Sequence, residues 1–152
     1  MKDAFRDLQL HQLDASLASW RSAQLSPRPR TGWVRAIREA LGMSGAAFAR
    51  RLGISQAGVR KLESSESSDA ITLATLRKLA GALDCELHYA LVPRKPLAQA
   101  LHDRAQELAK AQMLPVSHSM ALEDQTVDEP VSKLQLELAV AQLLKGSRRA
   151  LW

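Results

Sequence analysis

The chain has 152 residues, of which 46% are apolar, 24% charged and 4% aromatic, a composition typical of soluble globular proteins and long enough for one domain with extensions. No segment approaches the roughly 20 apolar residues that cross a bilayer, and the N-terminal residues lack the apolar run of a signal peptide, so we expect a cytoplasmic protein without a membrane partner. The single cysteine, Cys85, excludes an intramolecular disulfide, and no spaced set of cysteines and histidines indicates a metal site.

The charge of the chain is uneven along its length. Lys and Arg number 21 against 16 Asp and Glu, a net charge of +5. Residues 1–31 carry five basic and three acidic side chains, residues 32–92 eight and six, and residues 93–152 eight and seven. Such a balance suits a nucleic-acid partner without establishing one, and it makes the C-terminal third look less like a DNA-binding surface.

Residues 1–31 are predicted to form an N-terminal helix and a basic linker. Apolar residues recur at mostly helical spacing over residues 4–24, and Pro27 and Pro29 then disfavour helix in the residues before them. Two interpretations of the linker stay open: an arm that lies along phosphates, or a solvated connector.

Residues 32–92 carry the densest signals and are predicted to form one domain. A series of helices is predicted up to residue 83. Gly42 is suited to end the first of them, and Ser44, Ser55 and Thr72 are each placed to cap the start of another.

Two of these helices meet the requirements of a helix-turn-helix. The motif needs a small residue where its helices cross, a turn residue that tolerates positive φ, and apolar residues that hold the second helix on the first. Ala49 suits the crossing and Gly53 the turn, and the apolar residues are Phe48, Leu52, Ile54, Val59 and Leu62. The alternative is a generic helical hairpin.

Residues 85–92 show the period of a β-strand, with Leu87, Tyr89 and Leu91 at alternate positions. The chain has no second convincing strand, and a lone strand needs a partner for its backbone groups. We therefore expect this strand to pair with the same strand of another copy in a homodimer.

Residues 93–152 are predicted to be a C-terminal helical extension. Its first helix begins near residue 97 and is expected to stop at Pro115, and a second, amphipathic helix spans residues 132–145 with Leu134, Leu138, Ala141 and Leu144 as its apolar stripe. The predicted fold class is all-α, with one dimerising β-strand.

The stretch from residue 33 to residue 83 resembles the phage-repressor/Cro-like (XRE-type) DNA-binding family, with residues 52–56 (LGISQ) at the turn and at the start of the recognition helix. The resemblance implies a five-helix domain whose recognition helix enters the major groove. Many relatives have Gln where this chain has Gly45, which removes one phosphate contact.

The same resemblance assigns the DNA-binding residues. Gln56, Ala57 and Lys61 would face base edges, and Ser44, Ser55 and Arg60 would hold phosphates. Gly58 lies within the recognition helix at a cost of roughly 1 kcal/mol relative to alanine. This glycine either brings the backbone near DNA or allows close packing.

Residues 71–91, beginning ITLATL, are similar to the antitoxins that pair with HipA-type kinases, in which a strand after the fourth helix joins a two-chain sheet. This resemblance implies a homodimer. A dimer of this kind binds two half-sites one helical turn apart, so an inverted-repeat operator in double-stranded DNA is expected.

Residues 28–42 (RPRTGWVRAIREALG), 89–95 (YALVPRK) and 118–125 (HSMALEDQ) resemble the family called mobile mystery protein A. That bacterial family occurs on mobile elements beside a gene for a Fic-domain protein. The resemblance implies an operon of a DNA-binding antitoxin and a Fic-type toxin.

Fic proteins transfer AMP to hydroxyl side chains, and many are inhibited by a helix with the pattern Ser/Thr-x-x-x-Glu. Ser119 and Glu123 have this spacing, which places both on one face of a helix. We hypothesise that Glu123 is the inhibitory carboxylate and that Ser119 steadies it. The alternative is a solvated acidic face.

The chain lacks a nucleophile elbow, a phosphate-binding glycine loop and a paired-carboxylate signature, so we expect no enzyme, no catalytic residues and no cofactor. The predicted function is that of a sequence-specific repressor, the antitoxin of a Fic-type toxin and the autoregulator of their operon. The alternatives are a stand-alone mobile-element repressor and a protein-interaction module that does not bind DNA.

Overall fold

A computed structural model describes residues 2–122 and 128–152, and the chain divides into two compact units. Unit 1 comprises Met1–Ala23 and Ala90–Trp152, and unit 2 comprises Gln24–Tyr89. The helices are, in chain order, α1 (Lys2–Ser22), α2 (Trp33–Ala40), α3 (Gly45–Leu52), α4 (Gln56–Ser67), α5 (Leu73–Ala82), α6 (Leu97–Leu122) and α7 (Glu129–Lys145), followed by a short 3₁₀ turn at Arg148–Leu151.

The starts of α3, α4 and α5 are those that the sequence predicts, as are the two ends at glycine. Ser44, Ser55 and Thr72 each accept the backbone N–H three residues further on, at 3.1, 3.0 and 3.1 Å, and so satisfy one of the free donors of a helix start. Gly42 and Gly53 have φ of 67° and 68°, a conformation that other residues adopt only with strain. The predicted caps and turn are confirmed.

The core of unit 2 lies between its four helices. Its buried members are Val34, Phe48, Ala49, Val59, Leu79 and Leu83. Phe48 and Ala49 confirm the predicted crossing of the two motif helices, and Leu52 and Leu62 pack against the core from its edge. Ile54, predicted to help hold the motif together, is instead 40% exposed.

A buried carboxylate joins the start of α2 to the end of α4. Glu66, only 2% exposed, accepts the backbone N–H groups of Trp33 and Val34 at 2.7 and 3.0 Å. A Cβ on the preceding Gly32 would lie 2.7 Å from a carboxylate oxygen of Glu66. The glycine therefore makes room for the acid that caps α2 from another helix.

A second buried contact joins the same two helices. Arg38 of α2 donates from Nε and Nη2 to the two carboxylate oxygens of Glu63, at 2.7 and 3.2 Å, and from Nη1 to the carbonyl oxygen of Met43 at 2.8 Å. The hydrogen bonds to Glu63 raise the pKa of Arg38 above its ordinary value. This bidentate pair fixes the orientation of α4 on α2.

The linker before α2 is tied down by one of its arginines. Arg28 donates to the carbonyl oxygens of Glu66 and Ser67, at 2.8 and 3.3 Å, and to the carboxylate of Asp69 at 2.6 Å. Its guanidinium thus binds the C-terminal end of α4. Arg30 is exposed and forms no ion pair within the described part of the chain.

Two parts of the predicted fold are wrong. Residues 85–92 form no strand, and none exists in residues 2–122 or 128–152, since the single chain offers no neighbouring strand with which the segment could pair. Unit 2, all of which is described, contains four helices rather than five: after α5 the chain continues in irregular conformation.

In unit 1, α6, α7 and the 3₁₀ turn pack around Ala105, Ala109, Val140 and Leu151, and α1 contacts α6. Asp14 of α1 accepts the N–H groups of Leu97 and Ala98 at 2.6 and 3.0 Å, and so caps α6. These two backbone hydrogen bonds lower the pKa of Asp14, because they favour its charged form.

Two helices of unit 1 differ from the prediction. The helix predicted to stop at Pro115 is α6, which instead runs through this residue to Leu122. A proline inside a helix forgoes one backbone hydrogen bond and its ring crowds the carbonyl group four residues earlier, so it disfavours the helix, but here it does not end it. In α7, Leu134 and Leu138 of the predicted stripe are exposed, and Val140 is the buried residue.

Candidate nucleic-acid interface

The turn between α3 and α4 sets the start of the predicted recognition helix. The N–H groups of Gly53 and Ile54 donate to the carbonyl oxygens of Arg50 and Ala49, at 3.3 and 3.1 Å, and close the end of α3. Ser55 then caps α4, so the helix starts at a position that the packed end of α3 determines.

The three residues predicted to contact bases lie together with Arg60, a predicted phosphate contact, on the solvent side of α4. Gln56, Ala57, Arg60 and Lys61 are all exposed. At 100° per residue they span an arc of about 140°, and Val59 and the end of the helix at Glu66 are buried on the opposite side. The first turns of α4 therefore present an amide, a methyl group and two cations along one surface.

The other predicted site residues lie at helix starts. Ser44 and Ser55 are exposed, and their hydroxyl oxygens cap α3 and α4. Neither helix has an acidic residue in its first turn, so nothing there opposes the positive end of the helix dipole, which attracts phosphate. A Cβ on Gly58 would lie 3.3 Å from the Ser55 hydroxyl oxygen and 3.4 Å from Cδ1 of Ile54, a close packing.

Ion pairing divides the cations of unit 2 into two groups. Arg28, Arg35 and Arg38 each pair with a carboxylate of the same unit. No ion pair within the described chain engages the remaining cations, which include Arg30, Arg50, Arg51, Arg60, Lys61 and Lys78. The uncompensated charge of unit 2 therefore lies on the linker and on α3, α4 and α5.

Arg50 and Arg51 are further candidate phosphate contacts, which were not predicted from the sequence. Arg50 and Arg51 lie in the last turn of α3 and are separated from the motif's glycine, Gly53, by Leu52 alone. Their signal in the sequence is a pair of basic residues with no acidic residue at helical spacing, whereas Arg35 has Glu39 four residues further on and pairs with it.

The proposed inhibitory pair is described only in part. Ser119 is exposed on α6, and its hydroxyl donates to the carbonyl oxygen of Pro115 at 3.1 Å. Glu123 lies outside the described residues.

The described residues contain neither a cluster of metal-binding side chains nor a membrane-spanning helix. Among them, no group of three or more His, Cys, Asp or Glu side chains is placed to hold a metal ion. None of their helices combines the length and the apolar character needed to cross a membrane.

Comparison with known proteins identifies one stretch. Residues 34–89, somewhat more than a third of the chain, match the family described as Helix-turn-helix. The match confirms the predicted XRE-type helix-turn-helix domain and supports a DNA-binding transcription regulator. No curated protein and no solved structure matches the chain.

Proposed function

We propose that this chain, whose residues 34–89 are the helix-turn-helix domain of a DNA-binding transcription regulator, is a sequence-specific repressor of double-stranded DNA. One observation carries the proposal. The exposed side of α4 presents Gln56, Ala57, Arg60 and Lys61, and no hydrogen bond or ion pair within the described chain engages any of these side chains. Polar groups held ready on one helix face suit an external partner.

The roles of these residues follow from their chemistry. The Gln56 amide matches the donor and acceptor pair of adenine, Lys61 the acceptors of guanine, and Ala57 the methyl group of thymine. Arg60 and the serine-capped starts of α3 and α4 suit phosphates, which position the protein without reading sequence.

We propose that the repressor binds an inverted-repeat operator as a homodimer. The backbone N–H groups of residues 86–92 form no hydrogen bond with any described residue of the same chain. Tyr89, Leu91 and Val92 are exposed beside them. An interface with a second copy over this segment would cover the exposed apolar side chains and give the free backbone groups partners, and a two-fold symmetric dimer reads a two-fold symmetric site.

Selection of binding sites from a library of randomised duplexes tests the DNA-binding proposal. The wild-type protein is expected to enrich an inverted repeat, and Gln56→Ala to relax the preference at one base pair of each half-site by roughly 1–3 kcal/mol. Gln135→Ala, an exposed glutamine of unit 1, is the matched control and should leave the preference unchanged. Unchanged binding of a double variant, Gln56→Ala with Lys61→Ala, would contradict the assignment of α4 as the recognition helix.

We propose further that the repressor is the antitoxin of a Fic-type toxin encoded alongside it. Resemblance to mobile mystery protein A supports this role. A surface feature supports a protein partner: unit 1 exposes large apolar side chains on two helices, Phe5 and Leu8 of α1 and Leu134 and Leu138 of α7. Where exposed apolar side chains adjoin one another, they are typical of interaction surfaces.

Co-expression with the product of the neighbouring gene, followed by an assay of AMP transfer, tests the antitoxin role. No AMP transfer in the presence of the wild-type protein, together with AMP transfer in the presence of Glu123→Ala, would support inhibition through Glu123. Ser16→Ala, a serine of α1 away from the pattern, should inhibit as the wild type does. Equal AMP transfer with and without the wild-type protein would contradict the antitoxin role and favour a stand-alone mobile-element repressor. A wild-type protein that binds no DNA in the selection experiment would favour a protein-interaction module.

A further inference from the structure

The side chain of Gln56 lies over the first residue of α3. A Cβ built on Gly45 would lie 3.6 Å from Nε2 of Gln56 and 3.7 Å from its Cγ. Apart from its own helix and chain neighbours, no other atom would come within 4 Å of that Cβ. The space that a side chain at residue 45 would occupy is therefore bordered by Gln56 alone.

This arrangement limits the size of the side chain that residue 45 can carry before Gln56 must move. The distances of 3.6 and 3.7 Å are ordinary van der Waals contacts, so the single methyl group of alanine fits. The γ carbons of valine extend a further carbon–carbon bond, about 1.5 Å, and the stiff χ1 of a β-branched residue leaves few ways to turn them aside. Valine should therefore displace the amide of Gln56.

The amide of Gln56 is free to act on a ligand. The side chain is exposed, and no hydrogen bond of its amide is formed within the described chain. A glutamine with three rotatable bonds can take several directions, and a side chain larger than alanine at residue 45 would exclude the direction that Gln56 takes where α3 meets α4.

We propose that Gly45 is a specificity-determining position, which acts by leaving the space in which Gln56 is positioned for one base pair. Gly45 is a positioning residue and makes no base contact itself. The inference rests on the proposed DNA-binding function, and it names a residue of α3, outside the recognition helix, as a determinant of what that helix reads.

Site selection with four full-length proteins tests the inference: wild type, Gly45→Ala, Gly45→Val and Gln56→Ala. Gly45→Ala should keep the wild-type preference within about twofold. Gly45→Val should lose preference at the base pair that Gln56→Ala also affects, by between about 5-fold and 100-fold, the range of one bidentate contact. The Gly45→Val, Gln56→Ala double variant should lose nothing more at that base pair, because both changes remove one interaction.

A measurement without DNA gives the same proposal a second readout. In the wild-type protein, nuclear Overhauser effects should connect the side-chain amide protons of Gln56 with the α protons of Gly45. Gly45→Val should abolish the proximity of the amide to residue 45 and shift the amide resonances, whereas the resonances of the unit 2 core should stay dispersed and show that the domain is folded.

Three results would overturn the inference. Gly45→Val could weaken binding equally for all sequences, it could add its full effect to that of Gln56→Ala, or the amide of Gln56 could show no contact with Gly45. In each of these cases the wild-type protein still selects an operator and the proposed function stands. A wild-type protein that enriches no sequence overturns the proposed function and the specificity role together.

Discussion

The two units of this chain differ in their net charge. Unit 2 contains ten basic and six acidic residues, and unit 1 eleven and ten, so four of the five excess positive charges belong to the unit with the helix-turn-helix. Among the described residues, both units expose large apolar side chains, for example Phe5 and Leu138 in unit 1 and Leu41 and Ile54 in unit 2. The contrast in charge supports a nucleic-acid partner for unit 2.

The units differ as well in their buried polar contacts. In unit 2, Glu63 and Glu66 of α4 are buried, and both bind α2. In unit 1, Asp14 caps α6 from a more open site. We expect the stability of unit 2 to depend on single buried charges and that of unit 1 on apolar packing, and the variants below can break that distinction.

The largest effect is expected for Arg38→Ala. This change leaves the buried carboxylate of Glu63 without its cation, and breaking a buried pair from one side costs about 3–5 kcal/mol. Chemical denaturation followed by the fluorescence of Trp33, the tryptophan of unit 2, measures the free energy of unfolding. Arg35→Ala, whose pair with Glu39 is half exposed, is the control and should change little; equal effects of the two variants would contradict the role of burial.

A smaller loss is expected for Glu66→Gln. The amide keeps one acceptor for the N–H groups of Trp33 and Val34 but loses the second acceptor and the charge, so unit 2 should lose about 1.5–3 kcal/mol. The same denaturation measurement applies, with Glu86→Gln as the exposed counterpart. A neutral result would show that α2 does not need its cap from α4.

Two substitutions in α7 compare packing with exposure in unit 1. Val140→Ala removes methyl groups from a side chain that is 5% exposed and should cost about 1–2 kcal/mol. Leu138→Ala changes a side chain that is 62% exposed and should stay within about 0.5 kcal/mol. Thermal unfolding followed at Trp20 measures both, and the reverse order would mean that α7 packs through the stripe that the sequence predicts.

The smallest effect concerns pH. The two backbone N–H groups that Asp14 accepts hold its pKa below the ordinary 3.8, so its contribution to stability is complete above that value and is lost as pH falls through the lower pKa of the folded state. Asp14→Asn should flatten the acid side of the stability profile of unit 1, as shown by unfolding temperatures between about pH 5 and pH 2. An unchanged profile would contradict the cap; Asp128→Asn, whose side chain makes no cap hydrogen bond, serves as the control.

Local rules predicted much of unit 2 because its signals act over short distances. A capping serine binds an N–H three residues away, and a glycine at a helix end needs only its own backbone angle, so Ser44, Ser55, Thr72 and Gly53 could be identified directly. The predicted site residues of α4 share its exposed face for the same reason: helical geometry is known once the start of the helix is known.

Long-range pairings could not be predicted in this way. Glu66 binds the start of α2, more than thirty residues away in the sequence, and no pattern within either segment predicts this contact. The apolar residues of α7 occur on several sides of the helix, so periodicity alone did not decide between Leu138 and Val140 as the buried residue. Alternation over residues 85–92 describes side chains, whereas a strand also requires a neighbour.

Salt dependence of binding to the selected operator tests the central claim, that unit 2 holds the DNA surface, most directly. We would compare the wild-type chain with two double variants that each remove two positive charges. The first, Arg60→Ala with Lys61→Ala, changes unit 2, and the second, Lys133→Ala with Arg149→Ala, changes unit 1. The logarithm of the binding constant should fall against that of the salt concentration with a slope near −0.9 per phosphate contact. We predict a weaker affinity and a slope shallower by about one contact for the first variant and wild-type behaviour for the second. The opposite assignment, or no effect of either variant, would contradict the account.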